Sequence, residues 1–380
     1  MTPASIMDYR ELARRRIPKV LFDYVDGGSY AEATLARNIA DFEDLALRQR
    51  VLKDVSQIQL GTELFGQKLS MPVVLSPIGM AGMYARRGEA QAAKAARDAG
   101  IAMCLSSLAI CDAAEVAKAA GTPPWYQLYV IKDRGFTENL LHRLAELGCP
   151  VLALTVDLPM PGMRYRDVRS GLFGGGGMAT PFKRAWDGIT HPDWLIDVML
   201  HGGPHTFGNI APAIPEARGV MEFWPWVTKN FDPTLTWDDV AWIRQHWKGP
   251  LVIKGILDPE DAREAVKAGA DGIVVSNHGG RQLDGVLSGV RALPPIADAV
   301  GDDLTVIMDG GVRSGLDVVK ALALGAKACF IGRAWAYAVA ARGGPGVAHV
   351  LQILRQEMTM AMALTGCTDV KDAGRQLLAG

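Results

Sequence analysis

The five cysteines of this 380-residue chain lie far apart, and none forms a C-x-x-C pair. Dispersed cysteines in a chain of this length indicate reduced thiols and a cytoplasmic setting, so we expect neither a disulfide framework nor a bound metal. The chain also lacks an apolar run long enough to cross a membrane, and the segment Met1 to Arg16 lacks the apolar core of a secretory signal. Its 40 basic and 41 acidic residues balance, which argues against nucleic acid as a partner.

What the chain does have, from about residue 71, is a regular alternation of short apolar runs and Ala-rich helical stretches. Each run is apolar throughout, as expected of parallel strands that are buried on both faces. The predicted strands are Pro72–Ser76, Ile101–Ser106, Trp125–Tyr129, Val151–Val156, Leu251–Lys254, Gly272–Ser276, Thr305–Asp309 and Ala328–Gly332. Eight such units favour an α/β fold closed into a (β/α)8 TIM barrel. An open, doubly wound sheet gives the same local pattern, but no dinucleotide-binding fingerprint follows the first strand.

Two segments fall outside this alternation. Residues 1–70 precede it and are predicted to form an N-terminal helical extension, with helices at Asp8–Arg16 and Val20–Val25. An insert at 170–235 follows the fourth strand and contains the glycine run Gly174–Gly177. Loops of this length are usually lids or binding surfaces. The predicted organisation is therefore the extension, a barrel over 71–366 that includes the insert, and a C-terminal tail over 367–380.

Polar residues end most of the predicted strands, and barrel enzymes place their chemistry where these ends meet. The last two strand ends carry Asp309, Gly311 and Arg313, then Gly332 and Arg333. Glycines let backbone N–H groups approach an anion, a helix N-terminus adds partial positive charge, and Arg donates parallel hydrogen bonds. Because two such turns occur together, we predict a phosphate site rather than two ordinary glycine turns with solvated arginines.

The most informative stretch is Ser276–Asp284, which reads SNHGGRQLD and follows the sixth strand. His278 could act as a general base, because the pKa of imidazole lies near working pH. Arg281 could hold a carboxylate, and Asp157 at the end of the fourth strand could orient the imidazole. A structural histidine beside a surface arginine is the weaker alternative, because the glycines bring both side chains into one tight loop. Lys254 ends an apolar run, and a buried lysine needs a negatively charged partner. The alternative is that its amine reaches solvent at the rim of the barrel.

These motifs resemble the FMN-dependent L-2-hydroxy acid dehydrogenase and oxidase family, whose signature Ser276–Asp284 matches nearly letter for letter. The resemblance extends from Tyr9 to about residue 366. Further stretches are similar to the bacterial respiratory branch that oxidises L-lactate. They are Tyr24–Gly28, Ala46–Arg50, Leu69–Pro72, Met83–Gly88 and Asn230–Pro233.

The resemblance implies a bound FMN and a role for each matching residue. It makes His278 the catalytic base, with Asp157 as the residue that orients it. The residues implied to bind substrate are Tyr24, Arg164 and Arg281, together with Tyr129, which contacts the substrate hydroxyl. The residues implied to contact the flavin ring are Pro77, Gly79, Ser106, Gln127, Thr155 and Lys254, with Ser276 beside them. The residues implied to hold the ribityl chain and phosphate are Asp309, Gly311, Arg313, Gly332 and Arg333.

The implied reaction is oxidation of L-lactate to pyruvate, with electrons passed to a respiratory quinone. The residues fit removal of either the hydroxyl proton or the proton on carbon 2. (S)-Mandelate or another L-2-hydroxy acid is an alternative substrate, and oxygen is an alternative acceptor, although Gly79 stands where oxidases of the family more often carry Ala. An FMN-barrel isomerase and a non-catalytic phosphate-ligand sensor are weaker alternatives, because neither explains a carboxylate clamp together with His278 and Lys254.

The resemblance also implies a homotetramer and peripheral attachment to the cytoplasmic face of the bacterial inner membrane. The insert carries aromatic side chains that could either anchor it to a bilayer surface or pack it onto the barrel. They are Trp186, Trp194, Phe207, Phe223, Trp224 and Trp226.

Overall fold

The structure, a computed structural model, describes residues 2–172, 186–214, 219–220, 225–226 and 229–379. Within these ranges, eight parallel strands pair in chain order and the last pairs with the first, which closes a barrel. The predicted α/β class and (β/α)8 TIM-barrel fold are therefore confirmed, and the open-sheet alternative is wrong. The run Gly174–Gly177, Phe223 and Trp224 lie outside the described residues.

A small antiparallel hairpin precedes the barrel strands, and each barrel strand lies within two residues of its predicted bounds. The hairpin strands are β1 (Thr62–Leu64) and β2 (Gln67–Leu69). The barrel strands are β3 (Val73–Leu75), β4 (Ala102–Ser106), β5 (Trp125–Leu128), β6 (Leu152–Thr155), β7 (Leu251–Ile256), β8 (Gly272–Val275), β9 (Thr305–Met308) and β10 (Ala328–Ile331).

Alternation along the strands divides the apolar residues between two cores, because successive side chains point to opposite faces. In β3, Val74 joins the cluster inside the barrel, whereas Val73 and Leu75 join the larger cluster beneath the helices. The hairpin closes the N-terminal end of the barrel, where the Phe65 ring packs against Trp125 at 5.6 Å between centroids. The open, polar end is therefore the opposite one, at the carboxyl ends of the strands.

Twelve α-helices of six residues or more surround the barrel within the described ranges. They are α1 (Ile6–Arg16), α2 (Lys19–Asp26), α3 (Ala33–Glu43), α4 (Gly88–Asp98), α5 (Ala113–Ala120), α6 (Arg134–Leu147), α7 (Tyr165–Ser170), α8 (Trp237–His246), α9 (Pro259–Lys267), α10 (Gly289–Val300), α11 (Gly315–Ala323) and α12 (Arg333–Thr365). Non-helical backbone at Arg342 and Gly343 bends α12 into two segments. Sequence patterns did not indicate α3, α10 or α12, and α10 contains the helix-breaking pair Pro294 and Pro295.

The described part of the insert packs on the barrel through some of its aromatic residues and exposes others. Trp194 donates a hydrogen bond from its indole to the carbonyl of Met83 at 2.7 Å, and Phe207 is fully buried. Trp186 is 70% exposed. Packing onto the barrel therefore applies to Trp194 and Phe207, whereas contact of the exposed Trp186 with a bilayer stays a prediction. No helix among the described residues is both long and apolar enough to span a membrane.

Candidate active site

A cleft opens at the carboxyl ends of the barrel strands, as ligand sites of this fold commonly do. Most of the predicted site residues line it: Tyr24, Pro77, Gly79, Ser106, Tyr129, Thr155, Arg164, Lys254, His278, Arg281, Asp309, Gly311, Arg313, Gly332 and Arg333. The other three lie one contact behind the lining: Asp157 bonds His278, Gln127 bonds Ser106, and Ser276 bonds Lys254.

The imidazole of His278 is held between a carboxylate and the cleft. Its Nδ1 lies 2.9 Å from Asp157 Oδ1, and its Nε2 lies 3.4 Å from the hydroxyl of Tyr129. A proton on Nδ1 that faces the carboxylate leaves the Nε2 lone pair directed at the cleft, which is the arrangement a general base requires. Burial alone would raise the pKa of Asp157, but the charge and hydrogen bond of His278 and the charge of Lys254 lower it. Asp157 therefore stays ionised and stabilises a protonated imidazole.

Backbone conformation sets this pair in place. His278 adopts a left-handed φ of 56°, which two following glycines with positive φ continue as a tight loop. Across the cleft rim, an added Cβ at Gly255 would lie 2.6 Å from the Cβ of Asp157. Glycine at that position is therefore needed for Asp157 to reach the histidine, a requirement that the sequence pattern did not indicate.

Two guanidinium groups lie near the ring of Tyr24 in the same cleft. Arg281 lies 4.7 Å and Arg164 lies 5.4 Å from the ring centroid. One nitrogen of Arg281 bonds the carbonyls of Tyr24 and Gly27, at 2.5 and 2.9 Å, and Arg164 pairs with Asp167 at 3.1 Å. Burial and the charge of Arg281 lower the pKa of Arg164, so this part of the cleft favours an anionic ligand such as a carboxylate.

Polar groups on neighbouring strand ends fit the edge of a planar ring such as the flavin. Lys254 Nζ lies 2.9 Å from both Asp309 Oδ2 and Ser276 Oγ. Burial alone would lower the pKa of Lys254, but Asp309 and Asp157 hold it above its ordinary value. Gln127 Nε2 and Thr155 Oγ1 are buried and have no hydrogen-bond partner within the described part of the chain. Buried polar atoms are normally paired, so these two fit a ligand with ring nitrogen and oxygen atoms.

The far end of the cleft fits a phosphate. Gly310 and Gly311 have φ values of 91° and 89°, and α12 begins beside them at Gly332 without a side-chain cap. Uncapped N–H groups at a helix start bind anions. Three donors of Arg333 bond the carbonyls of Val25, Gly27 and Gly279, and burial together with Arg281 and Arg313 lowers the pKa of Arg333 to about 10. An anion bound here would offset that charge, so the residues present fit FMN from ring to phosphate.

The glycine at 311 provides a test of this phosphate site. An added Cβ there would lie 1.8 Å from the carbonyl oxygen of Asn38, so Gly311→Ala must displace the turn. We expect at least a tenfold loss of FMN affinity, since strained backbone costs about 1–3 kcal/mol. Equilibrium dialysis with fluorescence of free FMN measures it. Gly66→Ala is the control, because Gly66 shares a positive φ of 77° but has nothing within 4 Å; equal FMN loss in both variants would contradict the assignment.

Several lining residues were not predicted from the sequence. Tyr84 and Leu108 face the cleft from loops after β3 and β4, and Phe231 faces it from the C-terminal part of the insert. Asn38 of α3 supports the phosphate turn through paired amide hydrogen bonds to Asn277 at 2.8–2.9 Å. None of them ends a predicted strand. The available signals were the similarities of Met83–Gly88 and Asn230–Pro233 to the respiratory branch, which included Tyr84 and Phe231 without giving either residue a role.

Helix α2, which carries Tyr24, is anchored by the buried carboxylate of Asp26. That carboxylate accepts hydrogen bonds from Arg10, Arg166 and Tyr337 at 2.6–2.8 Å. Burial alone would raise the pKa of Asp26, but these hydrogen bonds lower it from 3.8 to about 2. Because the folded pKa lies below the unfolded value, the ionised group stabilises the fold above about pH 4, and this contribution is lost as the pH falls towards 2.

We therefore expect Asp26→Asn to lower the free energy of unfolding at pH 7 by about 2 kcal/mol. The difference from the unmodified protein should shrink between pH 4 and pH 2. Urea unfolding at pH 7 and pH 3 measures both values, and Asp302→Asn, at an exposed aspartate, serves as the control. A difference that stays constant with pH would mean that Asp26 does not stabilise the fold through its charge.

Comparison with known proteins agrees with this site. The family profile described as FMN-dependent dehydrogenase matches residues 13–380. The L-lactate dehydrogenase of Caulobacter sp. (strain K31) is 56% identical over 379 residues, which cover 100% of this chain and 99% of that protein. The L-lactate dehydrogenase of Haemophilus influenzae (strain PittEE) is 56% identical over 375 residues, covering 98% and 97%.

The solved structures that resemble this chain carry the same fold. The monotopic membrane protein (S)-mandelate dehydrogenase superposes with a TM-score of 0.93 at 34% identity, over 100% of both chains. A mandelate oxidase superposes with a TM-score of 0.85 at 37% identity, over 99% of this chain and 98% of that one. With the fold, the cleft and the full-length match in agreement, the chain belongs to the FMN-dependent dehydrogenase family.

Proposed function

We propose that this protein oxidises L-lactate to pyruvate with its FMN. The observation that carries the proposal is that His278 lines the same cleft as the guanidinium pair of Arg164 and Arg281. In a 2-hydroxy acid the carboxylate is attached directly to the carbon that is oxidised. A base and a carboxylate-binding pair in one cleft therefore suit this class of substrate. The relatives named L-lactate dehydrogenase, at 56% identity over the full chain, support L-lactate as the particular acid.

The proposed reaction removes two electrons and two protons from the acid and forms a carbon–oxygen double bond at carbon 2. FMN, when bound, would accept the two electrons together with the second proton. Arg281 and Arg164 hold the carboxylate, His278 Nε2 takes one proton, and Tyr129 contacts the substrate hydroxyl. Asp157 fixes the tautomer of His278 and stabilises the imidazolium that forms.

A substrate panel tests the choice of acid. Turnover with an artificial electron acceptor should be fastest with L-lactate and at least tenfold slower with glycolate and (S)-mandelate. (S)-Mandelate is the second candidate, because the (S)-mandelate dehydrogenase structure superposes over the whole chain. Preference for (S)-mandelate would keep the reaction and replace the substrate, and turnover with none of these acids would contradict the proposal.

We also propose that the electrons pass to a membrane quinone rather than to oxygen. An oxygen-electrode assay with L-lactate, with and without a soluble quinone analogue, compares the two acceptors in one preparation. We expect quinone reduction to exceed hydrogen peroxide formation by at least tenfold. Peroxide formation in air that matches the quinone rate would identify an oxidase instead.

The described part of the insert supports peripheral contact with the cytoplasmic face of the inner membrane. Between residues 186 and 200 it exposes five large apolar side chains, which we call the insert patch: Trp186, Ile189, Ile196, Met199 and Leu200, each between 42% and 70% exposed. Exposed apolar clusters on soluble surfaces commonly mark interaction sites, and apolar side chains at a bilayer boundary add to binding with their buried area.

We expect the triple variant Ile189→Ser, Ile196→Ser, Leu200→Ser to lose most of its co-flotation with vesicles of phosphatidylethanolamine and phosphatidylglycerol. The control is Val51→Ser, Leu52→Ser, which removes apolar side chains that are 71% and 102% exposed but lie outside the insert. Bleaching of the flavin by L-lactate should remain normal in both variants. Equal flotation of the two variants would exclude the insert patch as the membrane contact.

Finally, we propose the homotetramer implied by the family resemblance. Light scattering after size-exclusion chromatography should give a mass four times that of the 40.8 kDa chain. A monomer mass at micromolar concentration would contradict this assembly.

A further inference from the structure

The hydroxyl of Tyr84 is a buried polar group that the proposed reaction does not use. Tyr84 follows the short helical turn Ala81–Met83 after β3, is 0% exposed, and lines the active-site cleft. Its hydroxyl has no hydrogen-bond partner among the described residues. A buried hydroxyl without a hydrogen-bond partner costs about 1–3 kcal/mol of folding free energy. The unpaired oxygen of Tyr84 therefore indicates a ligand that forms the missing hydrogen bond.

The groups around the Tyr84 hydroxyl include two residues of the proposed carboxylate site, Tyr24 and Arg281. The groups that act on it electrostatically are first Tyr24 and then Arg281, Glu89 and Asp167. Tyr24 and Arg281 also act on Tyr129, whose hydroxyl lies in addition 3.4 Å from His278 Nε2. Tyr84 and Tyr129 therefore both line the cleft near Arg281, and of these two tyrosines Tyr129 contacts the proposed base.

Glu89 makes no hydrogen bond to the Tyr84 hydroxyl within the described structure. One of its carboxylate oxygens accepts the backbone N–H of Ile110 at 2.9 Å, and the other has no hydrogen-bond partner among the described residues. That second oxygen lies beside the backbone of Gly82, where an added Cβ would be 2.9 Å from it. Glu89 is not part of the cleft lining, whereas Tyr84 is. The cleft is therefore the direction from which a partner for Tyr84 can come.

We infer that Tyr84 is a further substrate-binding residue, whose hydroxyl donates a hydrogen bond to the carboxylate of the bound 2-hydroxy acid. The inference rests on the proposed function. Burial raises the pKa of Tyr84 well above its ordinary value, so the hydroxyl keeps its proton and acts as a donor. A hydrogen bond to a charged acceptor is among the stronger ones in proteins, and its loss should weaken binding about tenfold or more.

The variant that tests this inference is Tyr84→Phe, which removes the oxygen and keeps the buried ring. The holoenzyme is titrated with pyruvate, which keeps the carboxylate, and binding is followed through the visible flavin absorbance. We expect the Kd for pyruvate and the KM for L-lactate to rise about tenfold. FMN affinity should stay unchanged. The Tm of the ligand-free holoenzyme should be unchanged or higher, because the variant loses a hydroxyl without a partner.

The matched control is Tyr126→Phe, since Tyr126 is equally buried but lies outside the cleft lining. It should leave pyruvate binding as it is. An unchanged pyruvate Kd in Tyr84→Phe with a lower Tm would make the hydroxyl structural, and weaker FMN binding with an unchanged pyruvate Kd would assign it to the cofactor. Either result overturns the inference. If unmodified holoenzyme is not reduced by L-lactate, the proposed function fails separately, and a raised pyruvate Kd still supports Tyr84 as a carboxylate ligand.

Discussion

Replacing His278 with Asn should slow reduction of the bound flavin by L-lactate by about 10²–10⁴-fold, the usual contribution of a positioned base. Asn keeps a polar side chain of similar reach but cannot take a proton at Nε2, the atom that faces the cleft beside Tyr129. FMN binding should remain, because the predicted cofactor contacts lie on other strand ends. Anaerobic stopped-flow measurement of flavin absorbance gives the rate directly.

Variants of Asp157, the hydrogen-bond partner of His278, provide a second test of this prediction. Asp157 Oδ1 accepts from His278 Nδ1 at 2.9 Å, so the two residues should act as one unit. Asp157→Asn should also slow flavin reduction, and the double variant should be no slower than His278→Asn alone, because effects within a unit are not additive. His246→Asn, at a histidine on α8 outside the cleft lining, is the control. An FMN-loaded His278→Asn variant that bleaches at near-normal rate would remove His278 from the role of base.

Replacing Lys254 with Met should destabilise the holoenzyme by about 3–5 kcal/mol, the usual effect of removing one partner of a buried ion pair. Lys254 is 4% exposed, and its ammonium is the group that lies 2.9 Å from Asp309 Oδ2. Met fills similar space but leaves the buried carboxylate without its cation. Flavin affinity should fall as well, because the same ammonium lies in the lining next to the polar strand ends that fit the ring.

A double-variant cycle separates the ion pair from simple packing. Lys254→Met combined with Asp309→Asn should be more stable than the sum of the single effects predicts, since no isolated charge remains. Denaturant unfolding at several FMN concentrations allows the contribution of cofactor binding to be subtracted for each of the four proteins. Additive losses would show that the pair contributes nothing beyond its separate contacts.

The sequence could predict the barrel and much of the candidate site because both follow one rule. In a barrel of parallel strands the residue after each apolar run lies at the same mouth, so Asp157, Lys254 and His278 could be brought together without knowing the packing. In the structure, Asp157 bonds His278 directly. Lys254 and the backbone N–H of His278 both donate to the hydroxyl of Ser276. The hairpin of β1 and β2 was missed, because three-residue strands are too short to show a period.

What the sequence could not predict depends on backbone path rather than on pattern. Tyr84 lies nine residues beyond the end of β3, and it reaches the cleft only through the turn at Ala81–Met83. Gly255 interrupts an apolar strand. The need for glycine there becomes clear only in the structure, where Asp157 packs against the position of the missing Cβ. Arg333 was expected to donate two parallel hydrogen bonds to the phosphate. In the structure, three of its donors bond backbone carbonyls. Such partner choices depend on packing that a linear pattern does not encode.

The most direct test of the central claim is anaerobic mixing of the holoenzyme with L-lactate and, separately, with D-lactate. The visible absorbance of the flavin reports whether two electrons have left the acid. We predict complete bleaching by one equivalent of L-lactate with pyruvate formed in equal amount, and no bleaching by D-lactate on the same time scale. An FMN-loaded protein whose flavin stays oxidised with L-lactate, or which bleaches equally with both forms, would contradict the account.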